Sequence, residues 1–461
     1  MFTALNLFKI ILLIILGFGY FIGLGWLVFG PVLHGSLIKN QREISLFQEI
    51  PLVLIGGLII NLGLVLTFQS LNTSIIIGII LAILGLGCYS IKIAKSCKIK
   101  EISTNSYIKV FGTLIISGLI LGPILFLPLS EWDARSIWFF HAKMIYASGS
   151  FGLETGWLHP SVMFSHTDYP KLIPTIAGQI TYIMGFWNEY LPKLSLLFLL
   201  VPAIILLFSF YQRSFSFLVL ILLIPLSFSM QLWTGYMDGY LALYMALSML
   251  LLGRFYRNLK PIDLISSMIC LILLVYIKNE GELALILGVF GIAFTLILKK
   301  VKDIRKNIQK QWPILLALIF FLIPFALWSL YKHQWGLSND LEIGSQNSMI
   351  QLVKRIENGS FFYIINEVYF VLKDGLFLLV FLLIASITLR KNIPREILPI
   401  IFTGATYCLG IIFIYMTTPW DVVWHVESSV ERTILLVTMS TYVASYFLVD
   451  NLEKQEVHSL S

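Results

Sequence analysis

Long apolar runs recur along the whole chain, and short polar segments separate them. A helix needs about 17 to 25 apolar residues to cross roughly 30 Å of hydrocarbon, and thirteen runs reach or approach that length. Because peptide groups in lipid must hydrogen-bond within their own segment, each run predicts an α-helix. The predicted spans are residues 5–29, 50–69, 74–94, 108–128, 191–211, 215–233, 238–253, 262–279, 282–298, 312–330, 375–389, 397–416 and 430–449.

Composition and charge agree with this pattern. Of the 461 residues, 58% are hydrophobic and 12% are charged, whereas soluble domains are about 25% charged. The chain is therefore predicted to be an all-α integral membrane protein, a polytopic helix bundle of about 13 spans. Its net charge of +7 does not indicate a nucleic-acid partner, because the basic residues lie in short loops between the apolar runs.

The basic loops also predict the orientation of the chain. Loop 299–310 contains six basic residues and one acidic residue, which is typical of a cytoplasmic loop. The basic residues of loops 92–100, 254–260 and 390–395 fall on the same side, provided that the short run 172–187 does not cross the membrane. That run has only 16 residues and includes a proline, so a re-entrant or surface helix is expected there.

Counting the predicted spans outwards from loop 299–310 places the polar clusters together on the non-cytoplasmic face. Three parts result: N-terminal transmembrane helices (1–128), an external loop with interfacial and re-entrant helices (129–190), and a transmembrane bundle with two external loops (191–461). Because the charges gather at one edge, that edge is predicted to bind or transform a ligand. The clusters are residues 131–171, 235–239, 278–282, 332–374 and 417–432, of which the last two are the external loops of the bundle.

The first cluster contains a predicted surface helix. Apolar residues recur at helical spacing over 134–147, with Trp138 and Tyr146 expected at headgroup depth. Asp133 immediately precedes this helix. It is either the N-cap of the helix or, if partly desolvated, a general base. The residues themselves leave both roles open.

The segment His166-Thr167-Asp168-Tyr169-Pro170 contains an imidazole and a carboxylate two residues apart. Such a pair could bind a metal or orient a phosphate, but two ligands do not define a metal site. An internally bonded loop is the alternative. No cofactor is certain, and the candidate ligands for a divalent metal ion are Asp133, His166, Asp168 and Asp238.

Two later clusters contain basic residues that could meet a phosphate. Lys278 lies in a charged turn between apolar runs, where it could face a lipid phosphate while Glu280 pairs with it. A purely structural ion pair is the alternative. Arg432 shares a helix face with His425 near the start of an apolar helix. A guanidinium there suits bidentate capture of a phosphate, whereas the alternative is an arginine that extends to lipid headgroups.

Five segments together resemble the GT-C superfamily of membrane glycosyltransferases. The closest likeness is to the bacterial branch near the protein O-mannosyltransferases and the lipid A aminoarabinose transferases. The resemblance implies a GT-C-like fold in the bacterial cytoplasmic (inner) membrane, with the active site facing outwards. The segments are EWDARSIW (131–138), HTDYPKLIP (166–174), GYMDGYLAL (235–243), KNEG (278–281) and WHVESSVER (424–432).

The resemblance also implies an activity and roles for individual residues. A hexose or pentose would pass, with inversion, from a polyprenyl-phosphate-linked donor to a protein, lipid or glycan acceptor, with Asp133 as catalytic base. The expected substrate- and donor-binding residues are Arg135, His166, Asp168, Tyr169, Asp238, Lys278, Glu280, His425 and Arg432. Trp132, Trp157 and Tyr169 are expected to stack against sugar rings. The chain departs from the family in having four spans before the catalytic loop, and the family leaves the need for a metal open.

Two other classes of protein remain as alternatives. A lipid or solute transporter typically has inverted repeats and charges near mid-membrane, and neither is visible in the sequence. An O-antigen ligase or polymerase uses a lipid-pyrophosphate-linked glycan, typically with arginine and histidine pairs in an external loop. His333, Lys354 and Arg355 in the 332–374 segment keep that alternative open.

Overall fold

The protein was analysed as a computed structural model, which is almost entirely helical. It describes residues 4–32, 45–96, 104–151, 154–212, 215–229, 232–233, 235–299, 316–337 and 346–460. No β-strand occurs in these ranges, so the predicted all-α class is confirmed. The basic loop 299–310 lies outside the described residues from residue 300 onwards, as do residues 97–100 of the 92–100 loop.

The α-helices are numbered here in chain order. They are α1 (Ala4–Val32), α2 (Leu46–Phe68), α3 (Leu71–Ser96), α4 (Thr104–Phe126), α5 (Phe139–Ser148), α6 (Glu154–Leu158), α7 (Leu172–Met184), α8 (Ser195–Phe208), α9 (Ser216–Ile221), α10 (Leu223–Ser229), α11 (Asp238–Asn258), α12 (Pro261–Ile277), α13 (Glu280–Leu298), α14 (Ile323–Gln334), α15 (Gln346–Glu357), α16 (Ser360–Thr388), α17 (Ile397–Thr417) and α18 (Val422–Leu460).

Eleven helical segments in the described part of the chain are long and apolar enough to cross a membrane, which supports a multi-pass membrane protein. Two of the predicted spans are not among them. The run 215–233 divides into α9 and α10, because the ring of Pro225 conflicts with the carbonyl group of Ile221, four residues earlier, where α9 ends. The run 262–279 forms α12, which has 17 residues.

The chain forms two compact units, each built from separate segments. The first contains residues 1–210, 233–236 and 302–336, and the second contains 211–232, 237–301 and 337–461. In the first unit α1 packs closely on α2. A side chain at Gly25 would lie 1.8 Å from the carbonyl oxygen of Val53, and one at Gly57 would lie 1.9 Å from that of Phe21. Glycine at both positions therefore permits direct backbone contact between the two helices.

The predicted helix over 134–147 is present in the first unit. It begins as a π-helical turn, Ala134–Trp138, and continues as α5. Trp138 is only 2% exposed and packs inside the protein, and its expected position at headgroup depth stays a prediction. Backbone hydrogen bonds from Leu71 to Gly149 and from Phe151 to Gln69 attach the end of α5 to the α2–α3 turn.

The short run after the first cluster forms α7. Its 13 residues correspond to about 20 Å, which is less than the thickness of the hydrocarbon layer. Residues 172–181 are all buried, so α7 is a core helix of the first unit and not a surface helix. Gln179 on its buried face exchanges hydrogen bonds of 2.8 and 3.1 Å with Asn61 of α2.

The second unit has a distinct ion-pair network at one end. Arg257 at the end of α11 bonds Glu396 before α17 and Asp450 of α18, with a nitrogen–oxygen distance of 2.8 Å to Glu396. Arg254 bonds the buried Asp263 of α12, also at 2.8 Å. The loops 254–260 and 390–395 therefore meet at the same end of this unit, as their basic residues predicted. The segment 332–374, expected as an external loop, instead contains α15 and much of α16.

Candidate functional site

Asp133 lies within a helical turn rather than in front of it. The helix already includes Trp132, and the Asp133 side chain makes no capping hydrogen bond to the turn that follows. The N-cap role left open by the sequence is therefore not adopted. Asp133 is half-buried and Arg135, two residues later, is exposed. The turn is π-helical, a local irregularity that is frequent at functional sites.

A buried polar chain lies beneath this turn and was not recognised as a site from the sequence. The Nζ atom of Lys171 is 3.0 Å from Nδ1 of His141 and 2.9 Å from the carbonyl oxygen of Thr167. The Nε2 atom of His141 is 3.1 Å from Oγ of Ser165, which donates to the carbonyl oxygen of Val162 at 2.6 Å. Because the hydroxyl proton of Ser165 is used there, Ser165 accepts from Nε2–H, and Nδ1 accepts from Lys171.

Aromatic rings enclose the ammonium group of Lys171. Its Nζ atom lies 4.4 Å from the ring centroid of Trp157 and 5.0 Å from that of Trp328. Cation–π attraction of this kind partly replaces the hydration that a buried cation loses. Trp157 is fully buried in this contact, so its expected role in stacking against a sugar is wrong. Trp132 is 71% exposed and keeps an accessible ring.

Burial dominates the ionisation of this chain of residues. It holds the pKa of Lys171 well below its usual range, the positive charge of Lys332 acts in the same direction, and the Asp168 carboxylate opposes both. Burial likewise holds the pKa of His141 well below its ordinary value, and the charges of Lys171 and His166 lower it further. His141 is therefore neutral in the folded protein near pH 7.

The structure places the His166–Tyr169 segment directly over this buried chain. Asp168 is buried, and its carbonyl oxygen accepts a hydrogen bond of 3.3 Å from the indole nitrogen of Trp328. His166 has a positive φ of 50° and its ring lies 5.2 Å from that of Tyr169. Tyr169 in turn packs 5.5 Å from Trp138. The segment thus packs against aromatic side chains of the first unit, and its role as a ligand site stays a prediction.

In the second unit, four of the predicted residues come together at the end of an apolar helix bundle. Lys278 Nζ lies 2.8 Å from Oδ1 of Asp238 and 2.9 Å from Oε1 of Glu280. Arg432 Nη1 lies 4.0 Å from Oδ2 of the same Asp238. The ion pair between Lys278 and Glu280, which was the structural alternative, is therefore present. Asp238 forms a second ion pair with Lys278.

Helix ends fix the position of each residue in this cluster. Asp238 begins α11 and Glu280 begins α13, while Lys278 lies in extended backbone directly after α12. The turn at Lys278–Gly281 is closed by a hydrogen bond of 2.9 Å from the Gly281 N–H to the Lys278 carbonyl oxygen. A side chain on Gly281 would lie 2.0 Å from the carbonyl oxygen of Leu274, so only glycine fits.

Arg432 is the more exposed of the two cations in this cluster. Lys278 is buried between two carboxylates, and Arg432 brings the charge of the four side chains to zero. The Arg432 side chain is 25% exposed, it is 4.0 Å from Asp238, and one terminal nitrogen donates to the carbonyl oxygen of Ser428 at 3.2 Å. A guanidinium has five N–H donors in a planar fork, a geometry that suits a carboxylate or a phosphate.

His425 lies two turns before Arg432 on the same helix face, as the sequence predicted. Its ring is 5.1 Å from that of Tyr415, whose hydroxyl group bonds Ser429 at 2.9 Å and Thr433 at 2.8 Å. The buried Nδ1 atom of His425 has no hydrogen-bond partner within the described ranges. A polar ligand atom would satisfy it.

Arg355, which kept a ligase-like role open, is held by backbone groups. Its two terminal nitrogens each donate a hydrogen bond of 2.6 Å, one to the carbonyl oxygen of Tyr415 and one to that of Trp420. The side chain is 5% exposed. This arrangement gives Arg355 a structural role in holding the turn between α17 and α18, and it does not favour the ligase alternative.

Asp133, His166, Asp168 and Asp238 were the predicted candidate ligands of a divalent metal ion. In the part of the chain that the structure describes, no three His, Cys, Asp or Glu side chains converge in a way that could hold an ion. Asp168 lies against the buried lysine, and Asp238 pairs with Lys278. Both carboxylates thus have cationic neighbours within the protein.

Comparison with known proteins provides no match: no protein-family model matches the chain, and no curated protein or solved structure matches it significantly. The fold and the two polar clusters define a polytopic α-helical membrane protein.

Proposed function

We propose that this protein is a glycosyltransferase that moves a sugar from a polyprenyl-phosphate donor to an acceptor hydroxyl group on the non-cytoplasmic face, with inversion. The observation that carries the proposal is the position of Arg432. Its guanidinium is held by Asp238 and Ser428 near the start of α18, a helix that is apolar enough to cross a membrane. A lipid-linked phosphate supplies both the anion and an apolar chain for such a place.

An apolar groove that has α18 as one of its walls supports a lipid-linked donor. It has a volume of about 360 Å³ and lies among α16, α17 and α18, with Leu379, Cys408 and Val437 in its wall. Thr441 also lines it, but its hydroxyl group bonds Thr438 of its own helix. Val437 follows Arg432 by five residues, or about 7.5 Å along α18 and about 140° around it. The groove therefore begins within two turns of Arg432, on a different side of the same helix.

Asp133 supports the chemical step in this proposal. Its carboxylate is half-buried and does not cap its helix, and a carboxylate is one of the side chains that serve as a general base. The acceptor hydroxyl oxygen bonds to the anomeric carbon from the face opposite the phosphate. The bond from that carbon to the phosphate oxygen breaks, its electron pair stays on the phosphate, and the hydroxyl proton passes to the general base, the role that the resemblance to GT-C enzymes implies for Asp133.

Arg432 has the electrostatic part in this scheme. Negative charge develops on the departing phosphate, and a fixed guanidinium stabilises that charge more than it stabilises the intact donor. Lys278 and Asp238 act as positioning residues, because their ion pair holds the carboxylate that faces Arg432. The proposal leaves the sugar and the acceptor unspecified.

A binding experiment tests the proposal without knowledge of either. The purified protein in detergent is titrated with undecaprenyl phosphate and, separately, with undecaprenol, and intrinsic tryptophan fluorescence is followed. A charge-assisted contact of about 1.5–3 kcal/mol predicts that the phosphate binds about 10- to 150-fold more tightly than the alcohol. Equal affinity for the two lipids would contradict the proposal.

A further inference from the structure

Helix α15 has its apolar and polar residues in an unusual arrangement for a protein surface. Met349, Ile350, Val353 and Ile356 are between 47% and 62% exposed, whereas the polar Ser348 and Arg355 are buried. A helix that packs on a water-soluble core shows the reverse pattern. The apolar side of α15 therefore faces away from the second unit.

Helical geometry divides the surface of α15 into three separate sectors. At about 100° per residue, the four exposed apolar residues fall within an arc of about 120°. Ser348 and Arg355 face the protein about 140° from the centre of that arc. Asn347 and Lys354 are also exposed, and they lie between the apolar arc and the protein-facing side, about 120° from the centre of the arc. Two polar residues, Gln346 and Glu357, also fall in the apolar sector. They are the first and last residues of the helix.

Arg355 fixes this orientation at the end of spanning helices. Its hydrogen bonds to Tyr415 and Trp420 attach α15 to the turn between α17 and α18, which are both candidate membrane spans. The chain then turns at Gly359, with a φ of +76°, into the long apolar helix α16. Trp420 in the same turn is 45% exposed, and tryptophan is enriched at the boundary between lipid and water.

We propose that α15 lies in the plane of the membrane interface, with Met349, Ile350, Val353 and Ile356 embedded in lipid at the boundary between headgroups and acyl chains. Asn347 and Lys354 face water, where the lysine attracts anionic headgroups. The separation of lipid-, water- and protein-facing sectors favours a bilayer over a protein partner, because a partner would have no reason to leave the adjacent polar sector exposed. This inference does not rest on the proposed activity.

The lipid contact of α15 has a structural consequence for Arg432 and the ion pairs around it, which belong to the same unit. Arg355 holds the backbone of Tyr415 and Trp420, and Tyr415 bonds Ser429 and Thr433 of α18. That helix segment carries Arg432. A helix seated in lipid thus stabilises the turn from which the anion-binding part of α18 begins.

Spin labels at two adjacent positions test the proposal. In a variant without native cysteines, Val353→Cys and Lys354→Cys are labelled and reconstituted in vesicles of phosphatidylethanolamine and phosphatidylglycerol. Collision rates with oxygen, which concentrates in lipid, and with a water-soluble nickel chelate are measured. A label at Phe377→Cys, 75% exposed on α16, is the control for correct insertion and should favour oxygen.

The expected result is opposite behaviour of the two neighbours. The label at position 353 should collide more often with oxygen, by about threefold or more over the chelate, and the label at 354 should favour the chelate. Equal preference for the chelate at both positions would place the whole helix in water and overturn the proposal. Low collision rates with both reagents at position 353 would show a protein partner on this face and would also overturn it.

Discussion

The ammonium nitrogen of Lys171 lies 3.0 Å from Nδ1 of His141, and both side chains are buried. This contact requires a neutral imidazole, because protonation of Nδ1 would place two positive charges side by side. The remaining nitrogen of His141 bonds Ser165. The pair thus connects the helix that follows Asp133 to the segment that carries Asp168, and it makes this part of the protein sensitive to acid.

The stability of the protein should fall as the pH is lowered through the ordinary range of histidine. The pKa of His141 is lowered in the folded state, so the unfolded state binds more protons below pH 6.5, and the unfolding free energy increases with pH in that window. One such group contributes at most about 1.4 kcal/mol per pH unit. Thermal unfolding of the detergent-solubilised protein from pH 8 to pH 5 measures this dependence.

A glutamine at position 141 provides the matched control. His141→Gln keeps a donor for Ser165 and an acceptor for Lys171, but it does not titrate. Its melting temperature should depend less on pH below about 6.5 than that of the unmodified protein. An identical pH dependence in both proteins would assign the acid sensitivity to other groups.

Gly281 should tolerate no side chain. In Gly281→Ala the new methyl group would meet the Leu274 carbonyl oxygen at 2.0 Å, which displaces the turn that carries Lys278 and Glu280. A loss of about 1–3 kcal/mol is expected from overpacking of this kind, measured by chemical or thermal unfolding. Gly118→Ala is the control, because no atom lies within 4 Å of its added methyl group. A Gly281→Ala protein as stable as the Gly118→Ala protein would contradict the turn geometry.

These features differ in how far the sequence could predict them. Asp238 and Lys278 could be predicted to meet, because the sequence places both at helix ends on the predicted non-cytoplasmic side. The burial of Trp138 and Trp157 could not, because residues facing lipid and residues facing a protein core have the same apolar character. The buried lysine beneath them was missed for a related reason. Lys171 follows a proline in a polar segment, and only its packing shows that Trp157 and Trp328 enclose it.

Arg432 should determine the affinity for the lipid phosphate. Arg432→Gln removes the guanidinium but leaves the ion pair of Lys278 with Asp238 in place, so the fold should persist. The affinity for undecaprenyl phosphate should fall about 10- to 150-fold, as expected for loss of a charge-assisted hydrogen bond. Arg395→Gln, an exposed arginine near the other end of the same unit, is the control and should bind normally. Unchanged binding by Arg432→Gln would remove Arg432 from the donor site.

The apolar groove should recognise the hydrocarbon chain of the donor. Cys408→Trp fills the groove, and exclusion of about two methylene groups would cost about 1.6 kcal/mol, or about 15-fold in affinity. Polyprenyl phosphates with eleven and with two isoprene units distinguish this effect from damage at the phosphate site, because only the longer lipid should bind less tightly. Phe413→Trp, on the exposed face of the same helix, should leave both affinities unchanged. Equal weakening for both lipids would contradict a groove for the chain.

Asp133 should be needed for turnover but not for folding. Asp133→Asn removes the basic carboxylate and preserves its shape, and no capping hydrogen bond is lost. General-base catalysis contributes about 10²- to 10⁴-fold, so the rate should fall by that factor. The melting temperature and the binding of undecaprenyl phosphate should stay the same. Lower stability with a proportionate loss of binding would indicate a structural role instead.

The most direct test of a glycosyltransferase is the release of polyprenyl phosphate from its sugar-linked form. The purified protein and its Asp133→Asn variant are reconstituted in vesicles with polyprenyl phosphates that carry a radiolabelled hexose or aminopentose, and bacterial envelope fractions supply acceptors. The unmodified protein should transfer label from one of these donors and release polyprenyl phosphate, while the variant binds the lipid but transfers little. Failure of the unmodified protein to consume any of these donors, or transfer by the variant at the full rate, would contradict the account.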